Sequence, residues 1–285
     1  MSYRKILKQV QGTAAIDGAG VHLHRVLGRP TIEDYDPFLM LDSFDSRNPE
    51  DYEKGFPLHP HRGIETITYL YAGGMTHRDS LGNEDSITGG EVQWMTAGSG
   101  IMHEEMPQIS ERMLGVQIWL NLPAKNKMVD PAYKKITQNE MLKFEEEDTR
   151  IELITGAYKD HKAPSQPQYS PLDFYHIEMK EGALLELPTK EKSQVVLFTL
   201  EGEIAVLDED GNAEIIPAKT AVTLSEGNLL QLKAQTDTHV LFLQSQALKE
   251  PVAWGGPIVM NTNKELGECY FELNQGTFLK KQIKM

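Results

Sequence analysis

The 285-residue sequence has few cysteines, few basic residues and no long apolar run, and each shortage excludes a class of protein. Its single cysteine, Cys269, cannot form an internal disulfide and fits a reducing compartment. Lysine and arginine total 28 against 42 acidic residues, and the resulting charge of −14 argues against nucleic-acid binding through a broad basic surface. No apolar segment follows the charged N-terminus or reaches membrane-spanning length. We therefore expect a cytoplasmic protein without a signal peptide, a membrane span or a nucleic-acid partner.

The remaining composition, with 40% hydrophobic and 25% charged residues, is typical of a globular protein with one large or two medium cores. Short stretches in which apolar and polar residues alternate run through the chain, separated by turn residues. Examples are residues 21–27, 65–71 and 114–122. Such alternation is typical of β-strands. We predict an all-β fold with few short helices.

The series of strands is interrupted near residue 135. A charged stretch at residues 137–150 follows the first set of strands, and alternation then resumes. Residues 195–206 of the second half resemble residues 66–75 of the first, which indicates a faint internal repeat. We predict two domains, 1–135 and 136–285, each of them a β-barrel.

Two pairs of potential metal ligands lie in the first predicted domain. His59 and His61 are one residue apart, as are His103 and Glu105. In an extended strand this spacing puts both side chains of a pair on the same face. Two such strands facing each other inside a barrel would offer three imidazoles and a carboxylate to one ion. The alternative is that these are ordinary core or surface histidines, and a zinc finger is not expected because no cysteine pairs with them.

The second predicted domain offers no matching ligands. Its corresponding positions are Leu185, Leu187, Gln231, Leu232 and Lys233. We therefore expect residues 136–285 to lack a metal site.

Four motifs resemble the signatures of the pirin family, within the cupin superfamily. They are HPHRGIET at 59–66, QWMTAGSGIMHEEM at 93–106, QIWLNLP at 117–123 and GPIVMNTN at 256–263. The resemblance spans most of the chain. It implies a bicupin, with two tandem cupin-type barrels and a single metal ion, usually iron, in the N-terminal one. The ligand pattern of the family falls on His59, His61, His103 and Glu105.

Three further titratable residues lie near these motifs. Many cupins take a carboxylate from the first motif, where this chain has Glu65, whereas the pirin pattern takes it from the second motif, at Glu105. Glu65 would then either orient a ligand imidazole through its ring N–H or bond to a neighbouring turn. Glu104 should point away from its two neighbours, and we expect His77 at a surface strand position.

Three imidazoles and a carboxylate suit Fe(II), and would also accept Mn, Ni, Cu or Zn. The resemblance implies a quercetin 2,3-dioxygenase activity, in which O2 opens the ring of a flavonol and carbon monoxide is released. The partners would be O2 and a small, flat aromatic substrate, and Glu105 would act as both ligand and general base. Residues expected either to line an apolar mouth or to fill the barrel core are Phe56, Trp94, Met95, Met102 and Met106.

Two other functions remain open at this point. Some pirins are described as non-enzymatic regulators that bind a protein partner according to the redox state of the metal. The same ligand set also serves other small phenols or enediols as substrates, because a fold does not fix a function.

Overall fold

The structure, a computed structural model, describes residues 2–281. Strands dominate this part of the chain, as the alternating pattern predicts. The first strands are β1 Ile6–Gln11, β2 Thr13–Asp17, β3 Val21–Leu27, β4 Phe38–Ser46, β5 Phe56–His61, β6 Ile64–Ala72, β7 Gly74–Asp79, β8 Glu84–Thr88, β9 Glu91–Thr96, β10 Ile101–Gln108, β11 Met113–Asn121 and β12 Ala132–Ile136. The others are β13 Leu142–Glu146, β14 Thr149–Thr155, β15 Ala157–Tyr158, β16 His161–Lys162, β17 Leu172–Met179, β18 Leu184–Pro188, β19 Gln194–Glu201, β20 Glu203–Leu207, β21 Ala213–Pro217, β22 Thr220–Leu224, β23 Leu229–Ala234, β24 Thr238–Ser245, β25 Ala253–Gly255 and β26 Ile258–Met260.

The described chain contains two α-helices, α1 at Ile32–Tyr35 and α2 at Asn263–Gln275. Helix α2 begins with a capping box, in which Thr262 and Glu265 each bond the backbone of the other, and ends at Gly276 in the left-handed conformation. Within residues 2–281, neither helix has the length and apolarity needed to cross a bilayer.

The chain folds into two compact units. The N-terminal unit comprises residues 14–29, 38–137 and 248–281, and the C-terminal unit comprises the rest of the described chain. The predicted ranges 1–135 and 136–285 differ from these units at both ends of the chain and at residues 30–37, which group with the C-terminal unit. The first residues group with the C-terminal unit because β1 pairs with β22, and the last group with the N-terminal unit because residues 258–259 bond to Arg62.

The N-terminal unit contains a seven-stranded sheet, ordered β12-β9-β6-β11-β4-β3-β2, and a four-stranded sheet, ordered β5-β10-β7-β8. Strand β11 is buried over all nine residues, between β4 and β6. One core cluster of this unit consists of Val21, Leu23, Phe44, Tyr52, Leu70, Met75, Ile87 and Met113.

The C-terminal unit has the same plan. Its seven-stranded sheet is ordered β1-β22-β19-β24-β17-β14-β13, and its four-stranded sheet is ordered β18-β23-β20-β21. Leu185, Leu187 and Leu232, at positions corresponding to the ligand pairs, belong to its apolar core. The repeated arrangement of sheets accounts for the faint sequence repeat.

A close backbone contact joins the start of β6 to β26 within the N-terminal unit. The N–H of Val259 donates to the carbonyl of Arg62 at 3.1 Å. Gly63 has φ of +80°, and a Cβ at this position would lie 1.9 Å from the carbonyl oxygen of Val259. The ammonium of Lys127 donates to the carbonyls of both Gly63 and Val259, at 2.8 and 3.0 Å. Glycine is therefore required here, because any side chain would separate the two segments.

Candidate metal centre

Strands β5 and β10 bring three histidines together. The strands pair in antiparallel register, with His103 opposite His59, and the spacing of two puts His61 on the same face as His59. Ring centroids lie 4.4 Å apart for His59 and His103, 5.0 Å for His61 and His103, and 4.8 Å for His59 and His61. One ring nitrogen from each lies within 4.8 Å of the others. These three predicted ligands therefore form one cluster.

Backbone carbonyls set the protonation of two of the rings. Nδ1 of His59 lies 2.8 Å from the carbonyl oxygen of Pro57, and Nδ1 of His61 lies 2.9 Å from that of Pro257. A carbonyl only accepts, so each Nδ1 carries the hydrogen and each neutral ring has its lone pair at Nε2. The two Nε2 atoms are 3.1 Å apart. Two lone pairs at this distance repel each other, and a cation bound to both would remove the repulsion.

His103 supplies the third nitrogen. Its Nε2 is buried and has no hydrogen-bond partner among residues 2–281, an arrangement that ordinarily costs about 1–3 kcal/mol. Burial, together with the neighbouring rings, lowers the pKa of His61 to about 3 and that of His103 well below its usual value. Both rings are therefore neutral near pH 7, which is the form that binds metals. The three residues fit a divalent transition metal ion.

Glu105 lies on the wall of the same cavity, outside the cluster of three nitrogens. Its Oε1 accepts from the Thr68 hydroxyl at 3.1 Å and from the Gln93 amide, and its Oε2 accepts from the Gln117 amide at 2.8 Å. These donors form one row across three adjacent strands, since Thr68 on β6 pairs with Gln93 on β9 and with Gln117 on β11. The predicted roles of Glu105 as ligand and base stay predictions.

A cavity of about 610 Å³ opens beside the histidines. Its aromatic wall consists of Phe56, Trp119 and Trp254. Trp119 meets His61 edge-on at a centroid distance of 5.0 Å and lies 5.7 Å from Trp254. The polar rim contains Arg25, whose guanidinium bonds both carboxylate oxygens of Asp42, at 2.9 and 2.7 Å. The cavity thus combines three convergent imidazoles with an apolar wall suited to a flat molecule.

Comparison with known proteins places this arrangement in a family. A model of the pirin family matches residues 20–120, and a model of the pirin C-terminal cupin domain matches residues 174–279. The chain belongs to the pirin family. The predicted resemblance and the predicted fold of two cupin-type β-barrels are therefore confirmed.

Relatives of this pirin extend over nearly the whole chain. A Pseudomonas aeruginosa protein, provisionally named a quercetin 2,3-dioxygenase, is 39% identical over 281 residues, which cover 96% of this chain and 98% of that protein. Human pirin is 34% identical over 274 residues, covering 95% of this chain and 92% of its own. The crystal structure of a quercetin 2,3-dioxygenase from Acinetobacter baumannii is 32% identical, with a TM-score of 0.89 over 97% of this chain and 99% of that one.

The prediction for His77 in this pirin is wrong. Its side chain is buried, with its ring stacked at 4.3 Å on Tyr133 and its Nδ1 lying 3.4 Å from Nδ1 of His103. Sequence reasoning also missed Asp79, which bonds His77. A signal was present, because His77 and Asp79 form a third pair with the spacing of two that marks the ligand pairs.

Glu65 bonds to an adjacent strand, whereas its two expected partners were a ligand imidazole and a neighbouring turn. This residue is buried and accepts a hydrogen bond from the Thr96 hydroxyl at 2.7 Å on the adjacent strand. Burial raises the pKa of the Glu65 carboxyl.

Among the residues proposed for an apolar mouth, Phe56 lines the cavity of the described chain. Trp94 and Met95 are buried on β9. Met102 and Met106 alternate on β10 with His103 and Glu105, so they lie on the opposite face of that strand. Trp119 and Trp254 take their place, and Trp254 belongs to a segment far from the histidines in sequence.

Proposed function

We propose that this member of the pirin family is a metal-dependent dioxygenase that opens the ring of flavonols such as quercetin with O2 and releases carbon monoxide. The observation that carries the proposal is the convergence of three imidazole nitrogens, from buried His61 and His103 and half-buried His59, at the wall of an aromatic cavity. The similarity to proteins named for this activity supports it.

Nε2 atoms of His59, His61 and His103 would hold the metal ion, with Glu105 as a fourth ligand. We assign Fe(II), and the same set of nitrogen and oxygen donors accepts Mn, Ni, Cu or Zn. When bound, such an ion supplies Lewis acidity and brings a substrate oxygen and dioxygen together.

Glu105 is also assigned the role of general base toward the 3-hydroxyl of the flavonol. A carboxylate offers about four positions for hydrogen bonds. Thr68 and Gln93 take two positions on Oε1, and Gln117 takes one on Oε2. One position remains, on Oε2, and this atom would accept the hydroxyl proton. The ligand and base roles would therefore use this one position in turn, so replacement of Glu105 should weaken both metal binding and proton transfer.

The cavity walls would orient the substrate. Its volume of about 610 Å³ lies within the usual range of roughly 300–1,000 Å³ for small-molecule sites. Trp119, Trp254 and Phe56 would contact the flat faces of the flavonol rings and exclude water from its 3-hydroxyl. The guanidinium of Arg29, 5.7 Å from the centre of the Trp254 ring, supports the outer part of this wall.

An aerobic assay with quercetin tests the proposal. Apo-protein is loaded separately with Fe(II), Mn(II), Ni(II) and Cu(II), and loss of flavonol absorbance and release of carbon monoxide are followed. We expect metal-dependent turnover that is lost in His61→Ala and retained in Glu104→Gln. Glu104 is a suitable control because it lies next to the site on β10 and points outward to Arg78. A stoichiometrically bound ion without carbon monoxide release under any metal would refute the enzymatic assignment and favour a non-catalytic, partner-binding protein.

A further inference from the structure

A chain of hydrogen bonds leads from the metal centre to a buried carboxylate. Nδ1 of His103 lies 3.4 Å from Nδ1 of His77, and Nε2 of His77 lies 2.9 Å from Oδ2 of Asp79. We infer that His77 and Asp79 are positioning residues that hold His103 in the one tautomer able to bind a metal ion. The inference rests on the metal site of the proposed function, although it does not depend on the reaction catalysed there.

The direction of each hydrogen bond in this series follows from the Asp79 carboxylate at its end. Oδ1 of Asp79 accepts from the backbone N–H groups of Leu81 and Asn83, at 2.8 and 3.2 Å, and Oδ2 accepts from the Asn83 amide at 2.9 Å. These donors hold Asp79 as a carboxylate. Although burial alone would raise its pKa, the hydrogen bonds from His77, Asn83 and Leu81 lower it below the usual value. A carboxylate only accepts, so Nε2 of His77 must donate to it.

The tautomer of His103 is then determined. When His77 carries its one ring hydrogen on Nε2, its lone pair lies on Nδ1 and accepts a hydrogen from Nδ1 of His103. The hydrogen of His103 therefore lies on Nδ1, and its lone pair lies on the buried Nε2 that faces the other two rings. Backbone carbonyls do the same for His59 and His61, whereas in the described part of the chain it is His77 that meets Nδ1 of His103.

The hydrogen-bonded series from Asp79 through His77 to His103 is called the relay below. Its surroundings keep it rigid. The side chains of His77 and Asp79 are 1% and 0% exposed, so water does not compete for their hydrogen bonds. The His77 ring is stacked on Tyr133, with 15° between the ring planes. In the pairing of β7 with β10, Asp79 lies opposite His103. The sheet itself thus fixes the distance between relay and ligand.

Asp79→Asn should reverse the relay with little change in shape. The backbone N–H groups of Leu81 and Asn83 cannot change from donor to acceptor, so they keep the amide oxygen at the Oδ1 position. The amide NH2 then occupies the Oδ2 position, where the Asn83 amide must turn so that its oxygen rather than its NH2 faces it. The same NH2 donates to Nε2 of His77. His77 in turn donates from Nδ1 to His103, which moves the hydrogen of His103 to Nε2, where it blocks metal binding. An amide in place of such a carboxylate is known to impose the wrong tautomer on a histidine.

His77→Phe provides a second variant with a different expected effect. Phenylalanine keeps the ring on Tyr133 but removes both nitrogens, so His103 is no longer held in either tautomer. We expect Co(II) affinity to fall in both variants, within the roughly 10- to 100-fold range typical of partners that orient metal ligands, and further in Asp79→Asn than in His77→Phe. Glu104→Gln, on the half-buried opposite face of β10, should leave Co(II) affinity unchanged.

Two measurements test the inference in the full-length protein. Nitrogen NMR of the apo-protein reads the tautomer of His103 directly, and titration with Co(II), followed by its visible absorption, gives affinity and coordination. We expect Nε2 of His103 to be unprotonated in the wild type and protonated in Asp79→Asn. A protonated Nε2 in the wild type, or unchanged Co(II) affinity in both folded variants, would overturn the inference. Failure of Asp79→Asn to fold leaves the wild-type spectrum and His77→Phe as the test, and a negative quercetin assay affects neither measurement.

Discussion

Gly63 offers a sensitive test of how the candidate metal centre is supported. A Cβ at this position would lie 1.9 Å from the carbonyl oxygen of Val259, so Gly63→Ala must push β6 away from β26. The displacement would break the hydrogen bond between Val259 and Arg62 and would withdraw the Pro257 carbonyl from His61.

The expected cost has three parts. The left-handed conformation of Gly63, with φ of +80°, costs an alanine about 1–2 kcal/mol. Overpacking against a backbone atom adds about 1–3 kcal/mol, and the lost hydrogen bond about 1 kcal/mol. We expect the free energy of unfolding to fall by about 3–6 kcal/mol, and metal affinity to fall roughly 10- to 100-fold because His61 loses its orienting partner.

Gly182 provides the matched control. Its φ of +83° is nearly that of Gly63, but a Cβ added to Gly182 would meet no atom of the surrounding structure within 4 Å. Gly182→Ala should therefore lower the free energy of unfolding only by the conformational cost, about 1–2 kcal/mol, and should leave metal affinity unchanged. Urea unfolding and Co(II) titration of the two variants measure both effects. Equal destabilisation by the two substitutions would refute the argument that Gly63 is required by the close approach of Val259.

Three further outcomes are expected. His103→Ala should abolish tight metal binding but keep the far-ultraviolet circular dichroism of the wild type, because the barrel core holds β5 and β10 together; loss of the folded spectrum would show that the ion has a structural role. Trp119→Ala should raise KM for quercetin more than it lowers kcat, and steady-state kinetics showing the opposite would exclude Trp119 from substrate binding. Burial alone would raise the pKa of Glu152, but its hydrogen bond with His176 and the charges of His176, Arg150 and Lys143 together outweigh burial and bring that pKa to about 2. Because the folded value lies below the ordinary 4.5, the stabilisation by the carboxylate is present above pH 4.5 and is lost as pH falls toward 2. The difference in free energy of unfolding between wild type and Glu152→Gln, about 3 kcal/mol at most near neutral pH, should thus vanish in acid urea titrations.

The histidine cluster was accessible from sequence because its signal is local. His59 and His61 share a strand face by their spacing alone, and His103 follows the same rule on β10. The partners of these residues follow no such rule. Pro257 and Trp254 reach the site from a segment that only the folded chain brings near, and the row of donors around Glu105 depends on the register of β9, β6 and β11.

The error at His77 has a comparable cause. Alternation on a strand shows which residues share a face, but it does not show whether another strand covers that face. Tyr133 lies on β12, and it is this residue that stacks on His77. The grouping of the chain ends could likewise not be predicted from the sequence, because β1 pairs with a strand more than 200 residues away.

The dependence of His61 on Pro257 affects the order of events during synthesis. A ribosome completes the three histidines early and adds Pro257 only after residues 138–247 of the C-terminal unit. A nascent chain that stops before Pro257 therefore carries every imidazole of the cluster but lacks the carbonyl that fixes one of them. We therefore expect tight metal binding only after Pro257 has been added, so that a shorter nascent chain would capture an ion less readily than the complete protein.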